Sequence, residues 1–178
     1  MRLVTSVLAV LIFSAGAFAA DTAAAAKKYA DTGDAGAATE LRSAGAAAVQ
    51  PLREVKAEKE EGTTRVRNLL TDIVLETTRI DPDSARTLHE VAREEGKGKR
   101  YTNAERLYKR GEEIFDALKD DSDKRKDKAK SKEYAEKQKI CDRMKDKAGH
   151  KAKGDAHTGV NLGFVKVGKD HDMSDDWE

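Results

Sequence analysis

The chain has a single cysteine, Cys141, so no internal disulfide can brace it. That thiol can bridge two chains, stay free, or suit a protein whose final address is a reducing compartment. Aromatic residues make up only 5% of the sequence, which excludes a thick core. There are only two prolines, Pro51 and Pro82. There is no Asn-x-Ser/Thr sequon, so N-glycosylation is not expected. No second apolar run follows the first 18 residues, so no membrane association is expected after signal-peptide cleavage, and the acidic end does not read as a lipid-anchor signal.

Chemistry-bearing patterns are scarce too. No glycine loop is arranged to cradle phosphate. His150, His157 and His171 follow Cys141 without the i, i+4 or Cys-x-x-Cys spacing that chelation on one element prefers. His89 follows Leu88 in a helical segment and reads as boundary packing. The pairs Glu60-Glu61, Glu94-Glu95 and Glu112-Glu113 lie in polar runs with nothing to desolvate them. Cys141 lacks enough apolar neighbours in sequence to build a nucleophile's pocket. No catalytic residue, cofactor or metal site is therefore expected, and the protein reads as a non-enzyme.

What is present begins with a secretory signal. Arg2 precedes an apolar run over residues 3–18, too short for the ~20 residues that span a bilayer. Ala17-Phe18-Ala19 fits the small-x-small cleavage pattern, so residues 1–20 read as a signal peptide and the remainder as secreted. Charge is strongly segregated behind the near-neutral total. Residues 21–96 carry a net −4, residues 97–153 a net +8, and residues 154–178 a net −4. Overall, 38% of residues are charged, which suits a modest core with solvated extensions.

Periodicity assigns an all-α fold: a small helical bundle with a disordered N-terminal leader and a charged C-terminal helix and tail. Residues 21–63 are rich in Ala and interrupted by Gly33, Gly36 and Gly45, which predicts a flexible leader. The helical domain is expected over 64–148. Its first helix places Val66, Leu69, Leu70, Ile73, Val74, Thr77 and Ile80 on one face. Asp81 with Pro82 predicts a capped new helix, with Ala85, Leu88, Val91 and Ala92 inward and Gly96 as its stop. Thr102-Asn103-Ala104-Glu105 predicts a capping box for a third helix lined by Leu107, Tyr108, Gly111, Ile114, Phe115 and Leu118. Gly111 in mid-helix predicts a close helix crossing. From Asp123 to Lys147 a charged helix is expected, docked only through Tyr134, Ile140, Cys141 and Met144. Residues 149–178 read as a loose acidic tail.

The basic residues Lys124, Arg125, Lys126, Lys128, Lys130 and Lys132 have the density of a nucleic-acid or nuclear-import patch. Asp120, Asp121, Asp123, Asp127, Glu133 and Glu136 interleave with them, which favours a solvated helix laced with ion pairs. Nucleic acid is therefore the less favoured partner.

Gln50-Pro51-Leu52-Arg53, about 30 residues past the cleavage site, is followed by an acidic cluster including Glu58, Glu60 and Glu61. This layout resembles the RxLR-type secreted effectors of oomycete plant pathogens, with Gln50 in place of the first Arg and Gly62 in place of the Arg after the paired glutamates. Thr39-Glu40-Leu41-Arg42 is a second x-x-Leu-Arg. The resemblance implies a leader that serves secretion and delivery, and a helical domain that acts in the host cytoplasm or nucleus on immunity. Its partner would be a host protein. The alternative is a secreted or periplasmic helical protein that binds a polyanion or a protein through its basic segment, residues 97–153.

Overall fold

The computed structural model describes residues 21–154, 160–161, 166–167 and 177. Among them the fold is all-α, as expected, apart from a small antiparallel ribbon. This ribbon pairs β1 (Val160–Asn161) with β2 (Lys166–Val167), Val160 opposite Val167. The signal-peptide reading of residues 1–20 lies outside the described residues. The chain divides after Thr77 into two compact units.

In the first unit the expected flexible leader needs correcting from residue 21 onward. Residues 21–32 form α1, Ala35–Ala44 α2, and Val49–Glu54 α3, with a 3-10 turn over Gly45–Ala48 between the last two. The glycines that suggested flexibility are punctuation. Gly33 and Gly45 take φ of +71° and +57°, the left-handed conformation that ends a helix and that costs glycine least. The Gly45 N–H donates back to the Arg42 and Leu41 carbonyls. Asp34 then caps α2, accepting from the Ala37 N–H at 2.8 Å. That bond and Lys28 hold its carboxyl below the usual range.

The leader helices pack because their inward residues are small. Ala26, Ala30, Ala37, Leu41, Ala48 and Leu52 are buried, as are Val66, Leu69, Leu70, Ile73 and Val74 of α4 (Glu60–Thr77). A methyl group on Gly62 of α4 would lie 2.4 Å from the Ala30 carbonyl oxygen, so the two backbones nearly touch. The Arg65 guanidinium donates to that same oxygen at 3.0 Å. Arg42 bridges from α2 to Asp72 and Glu76 of α4 at 3.2 and 2.8 Å. The helical domain expected over 64–148 is thus divided, with α4 belonging to the leader helices. Ile80, expected on the buried face of α4, lies beyond that helix and is 59% exposed.

The second unit is built on α5 (Pro82–Lys97), α6 (Tyr101–Lys124) and α7 (Lys128–Ala152). Its first cap is as expected. Asp81 accepts from the Ser84 N–H and the Ser84 hydroxyl, each at 2.8 Å, and these bonds lower its pKa. The end of α5 lies beyond the predicted Gly96, at Gly98, whose N–H reaches the Glu94 and Gly96 carbonyls. The capping box at Thr102 is also corrected. Helix α6 begins at Tyr101, and Arg100 precedes it without a side-chain cap.

The turn between α5 and α6 is held by a buried carboxylate. Glu95 accepts from Arg100 Nε at 2.8 Å and from Asn103 Nδ2 at 3.1 Å. Glu95 is fully buried, whereas the Arg100 side chain is about a quarter exposed. Removing the guanidinium leaves a desolvated charge short of a donor. Arg100→Met should lower unfolding stability by about 2 kcal/mol, a loss readable as an earlier urea midpoint at unchanged m-value.

Helix α6 lies between its two neighbours, with Leu107, Tyr108, Ile114 and Phe115 buried and Leu118 partly so. The charged stretch docks as predicted, from Tyr134 onward, through Tyr134, Cys141 and Met144, with Ile140 half-buried. It is interrupted, however, by a turn at 125–127 and runs to Ala152 rather than Lys147. Lys145 ties α7 to α6, 2.7 Å from Glu112 and 2.7 Å from its own neighbour Asp142. Burial works against its charge, but those two hydrogen bonds outweigh burial and hold its pKa above the usual lysine range.

Candidate functional site

The Gln50-Pro51-Leu52-Arg53 motif lies on α3, and its residues face different ways. Gln50 is exposed and donates to Glu54, Pro51 and Arg53 are half-buried, and Leu52 is fully buried. The second Leu-Arg pair behaves alike, with Leu41 buried and Arg42 bridged outside. In both, leucine serves the core while the arginine stays at the surface. Glu58, Glu60 and Glu61 are exposed. Glu60 and Glu61 occupy the first turn of α4, where the helix dipole favours negative charge.

The six basic residues gather at the tip of the α6–α7 hairpin, and all are exposed. Arg125 pairs with Asp121 at 2.9 Å and Lys130 approaches Asp127 at 3.9 Å, as the ion-pair reading expects. Lys126 sits at the turn with φ +60°, a backbone state that disfavours a residue with a Cβ by about 1 kcal/mol.

Beside this tip, the second unit carries two adjoining hollows. One, of about 350 Å³, is lined by Pro82, Arg86, His89, Phe115, Lys137 and Ile140, among others. The second, of about 500 Å³, continues from Pro82 past Ile80, Leu118 and Tyr134 to Arg125 and Lys130. Lys137 Nζ stands 5.8 Å from the Phe115 ring centre, and the Phe115 and Tyr134 rings stack at 6.3 Å. The first hollow has a mainly apolar floor, as the centre of a protein-binding patch does, whereas the second is mainly polar, with Asp81, Asp121 and Asp127 beside Arg125 and Lys130. Sequence periodicity named most of the floor as core. It did not separate residues that fill the interior from those that line a hollow.

At the opposite ends of the same three helices lies a cluster absent from the sequence reading. Trp177, expected in a loose tail, is 4% exposed. Its ring stacks on Tyr101 at 5.9 Å and on Tyr108 at 6.4 Å. Lys147 Nζ lies 5.2 Å and Lys151 Nζ 5.9 Å from the indole, and Arg93 Nε donates to the Trp177 carbonyl at 2.8 Å. Gly96 supplies the space, since a Cβ there would meet the indole at 2.2 Å. The readable signals are Tyr101 and Tyr108 two turns apart on α6, and Lys147 and Lys151 one turn apart on α7.

His89 stands edge-on to Tyr108 at 5.5 Å, in keeping with boundary packing, and His150 is half-buried near the end of α7. His157 and His171 lie outside the described residues. Cys141 is fully buried, its Sγ 3.0 Å from where a Gly111 Cβ would stand. A bridge to a second chain would therefore require the helices to open. Burial, then the nearby Glu112 charge, push the thiol from its ordinary 9.0 up to about 12. Folded Cys141 should resist iodoacetamide at pH 9 and react at the rate of unfolding in urea; full labelling within minutes without denaturant would contradict this. The unfolded thiol ionises near 9 and the folded one near 12. Stability from this group is therefore complete below pH 9 and is lost as pH rises toward 12.

The chain matches no protein-family model, no curated protein and no solved structure.

Proposed function

We propose that the protein is a secreted effector that enters a host cell and modulates immunity by binding a host protein, without catalysis. The observation that carries the binding part is the pair of hollows that meet at Pro82, one mainly apolar around Phe115 and Ile140, the other mainly polar with Asp121, Asp127, Arg125 and Lys130 in its lining. A protonated, buried Cys141 fits a molecule that uses its surface rather than a nucleophile. The effector part rests on the signal-like residues 1–20 and the motif from Gln50 to Arg53. Expression of residues 21–178 in plant cells tests it, scored for suppression of an immune response. The double variant Ile80→Glu, Ile140→Glu alters one exposed and one half-buried residue of the face. It should keep its helical circular dichroism and lose suppression. An inert parent chain would overturn the effector reading, and a fully active double variant would move binding to another surface.

A second reading has its own observation. Lys126 holds a left-handed turn that glycine would fill at lower cost, at the centre of six exposed basic residues. That supports a polyanion-binding hairpin tip. Were this the working surface, affinity for nucleic acid would fall steeply with salt, and Lys126→Gly with Lys128→Ala would flatten that slope by about two.

A further inference from the structure

The Trp177 cluster is a complete recognition site for one kind of group. Two tyrosine rings stack with an indole, two lysine ammonium groups approach that ring, an arginine donates to its backbone carbonyl, and a glycine leaves room for it. The residues come from all three helices of the unit, with Arg93 and Gly96 from α5, Tyr101 and Tyr108 from α6, and Lys147 and Lys151 from α7. The occupant belongs to the sequence Asp175-Asp176-Trp177-Glu178, an indole flanked by carboxylates, which matches a socket whose edge is cationic.

We infer that this socket is a docking site for a tryptophan set in an acidic segment, and that the chain's own Trp177 closes it. A ligand carried on the same chain competes at an effective concentration on the order of millimolar, so a partner bearing the same chemistry enters only when Trp177 is displaced or removed. The site lies at the other end of the helices from the Pro82 hollows. It does not rest on the effector reading.

The test uses the chain from residue 21 to 178 and a labelled peptide carrying residues 169–178. Trp177→Ala empties the socket, so this variant should bind the peptide at least about tenfold tighter than the parent, which still carries its competitor. The same peptide with alanine for tryptophan should not bind. Equal binding by parent and variant, or none by a folded variant, would overturn the inference. Should Trp177→Ala fail to fold, Lys151→Glu in the parent is the second arm, because Trp177 is the only tryptophan and its emission reports the socket alone. Emission should be blue-shifted in the parent and red-shifted in Lys151→Glu at unchanged helicity. An unshifted spectrum would overturn the assignment. Emission that varies with protein concentration would place a second copy's tryptophan in the socket and overturn its closure within one chain.

Discussion

Gly111→Val should destabilise the second unit by about 3 kcal/mol or more, enough to remove much of a typical domain's stability. A Cβ at this position stands 3.0 Å from Cys141 Sγ and 3.2 Å from Leu88 Cδ2. Valine adds two further methyl groups to a point where α5, α6 and α7 converge. The contacted atoms are themselves fully buried, so neither can swing into solvent. Relief requires the helices to separate, which also loosens Tyr108 and Ile114 on the same helix. Gly111→Ala is the informative control. It gains helix propensity of about 1 kcal/mol and loses part of it to the two tight contacts, so its net effect should be much smaller. Chemical denaturation of both variants gives the comparison; equal stability of Gly111→Val and the parent would mean that the crossing is not close.

Leu52→Ala should cost the first unit about 3 kcal/mol, the usual loss for a buried leucine. Leu52 is fully covered on α3, where it joins Leu41, Ala48 and the inward face of α4 in one core. Arg53→Ala, at a half-exposed position, should cost far less. The pair therefore separates two meanings of the motif. If the proposed delivery to a host cell depends on its surface, Arg53→Ala impairs delivery at unchanged melting behaviour. If only Leu52→Ala impairs it, with a lowered melting temperature, the leucine acts through folding. Comparable stability of Leu52→Ala and Arg53→Ala would contradict the burial.

Large aliphatic residues at helical spacing were legible. Val66, Leu69, Leu70, Ile73 and Val74 are buried as the pattern predicts, as are Leu88, Val91, Leu107 and Ile114. The Asp81 cap and the Gly111 crossing were legible for the same reason, since each rests on local geometry or on one costly residue. The leader was not, because alanine reports little about burial. Its methyl group is small enough to be left in water, yet small enough to let two helices come close. Gly62 against Ala30 gives no signal until both helices are placed. The capping box failed because Glu95, eight residues before Asn103, holds the turn with a buried carboxylate. Trp177 was illegible because its partners come from three helices that are far apart in sequence.

The interlocking of α4 with the alanine-rich helices has a consequence for any cut between them. Suppose a protease trimmed the chain at Arg53. The product would begin just ahead of α4, stripped of Ala30, Leu41, Ala48 and Leu52. Val66, Leu69, Leu70, Ile73 and Val74 would lose those neighbours, and an 18-residue helix would carry a raw aliphatic stripe. Such a product would aggregate, bind a chaperone, or be degraded unless a partner supplied the missing helices. Cleavage at the motif would thus act as a solubility switch.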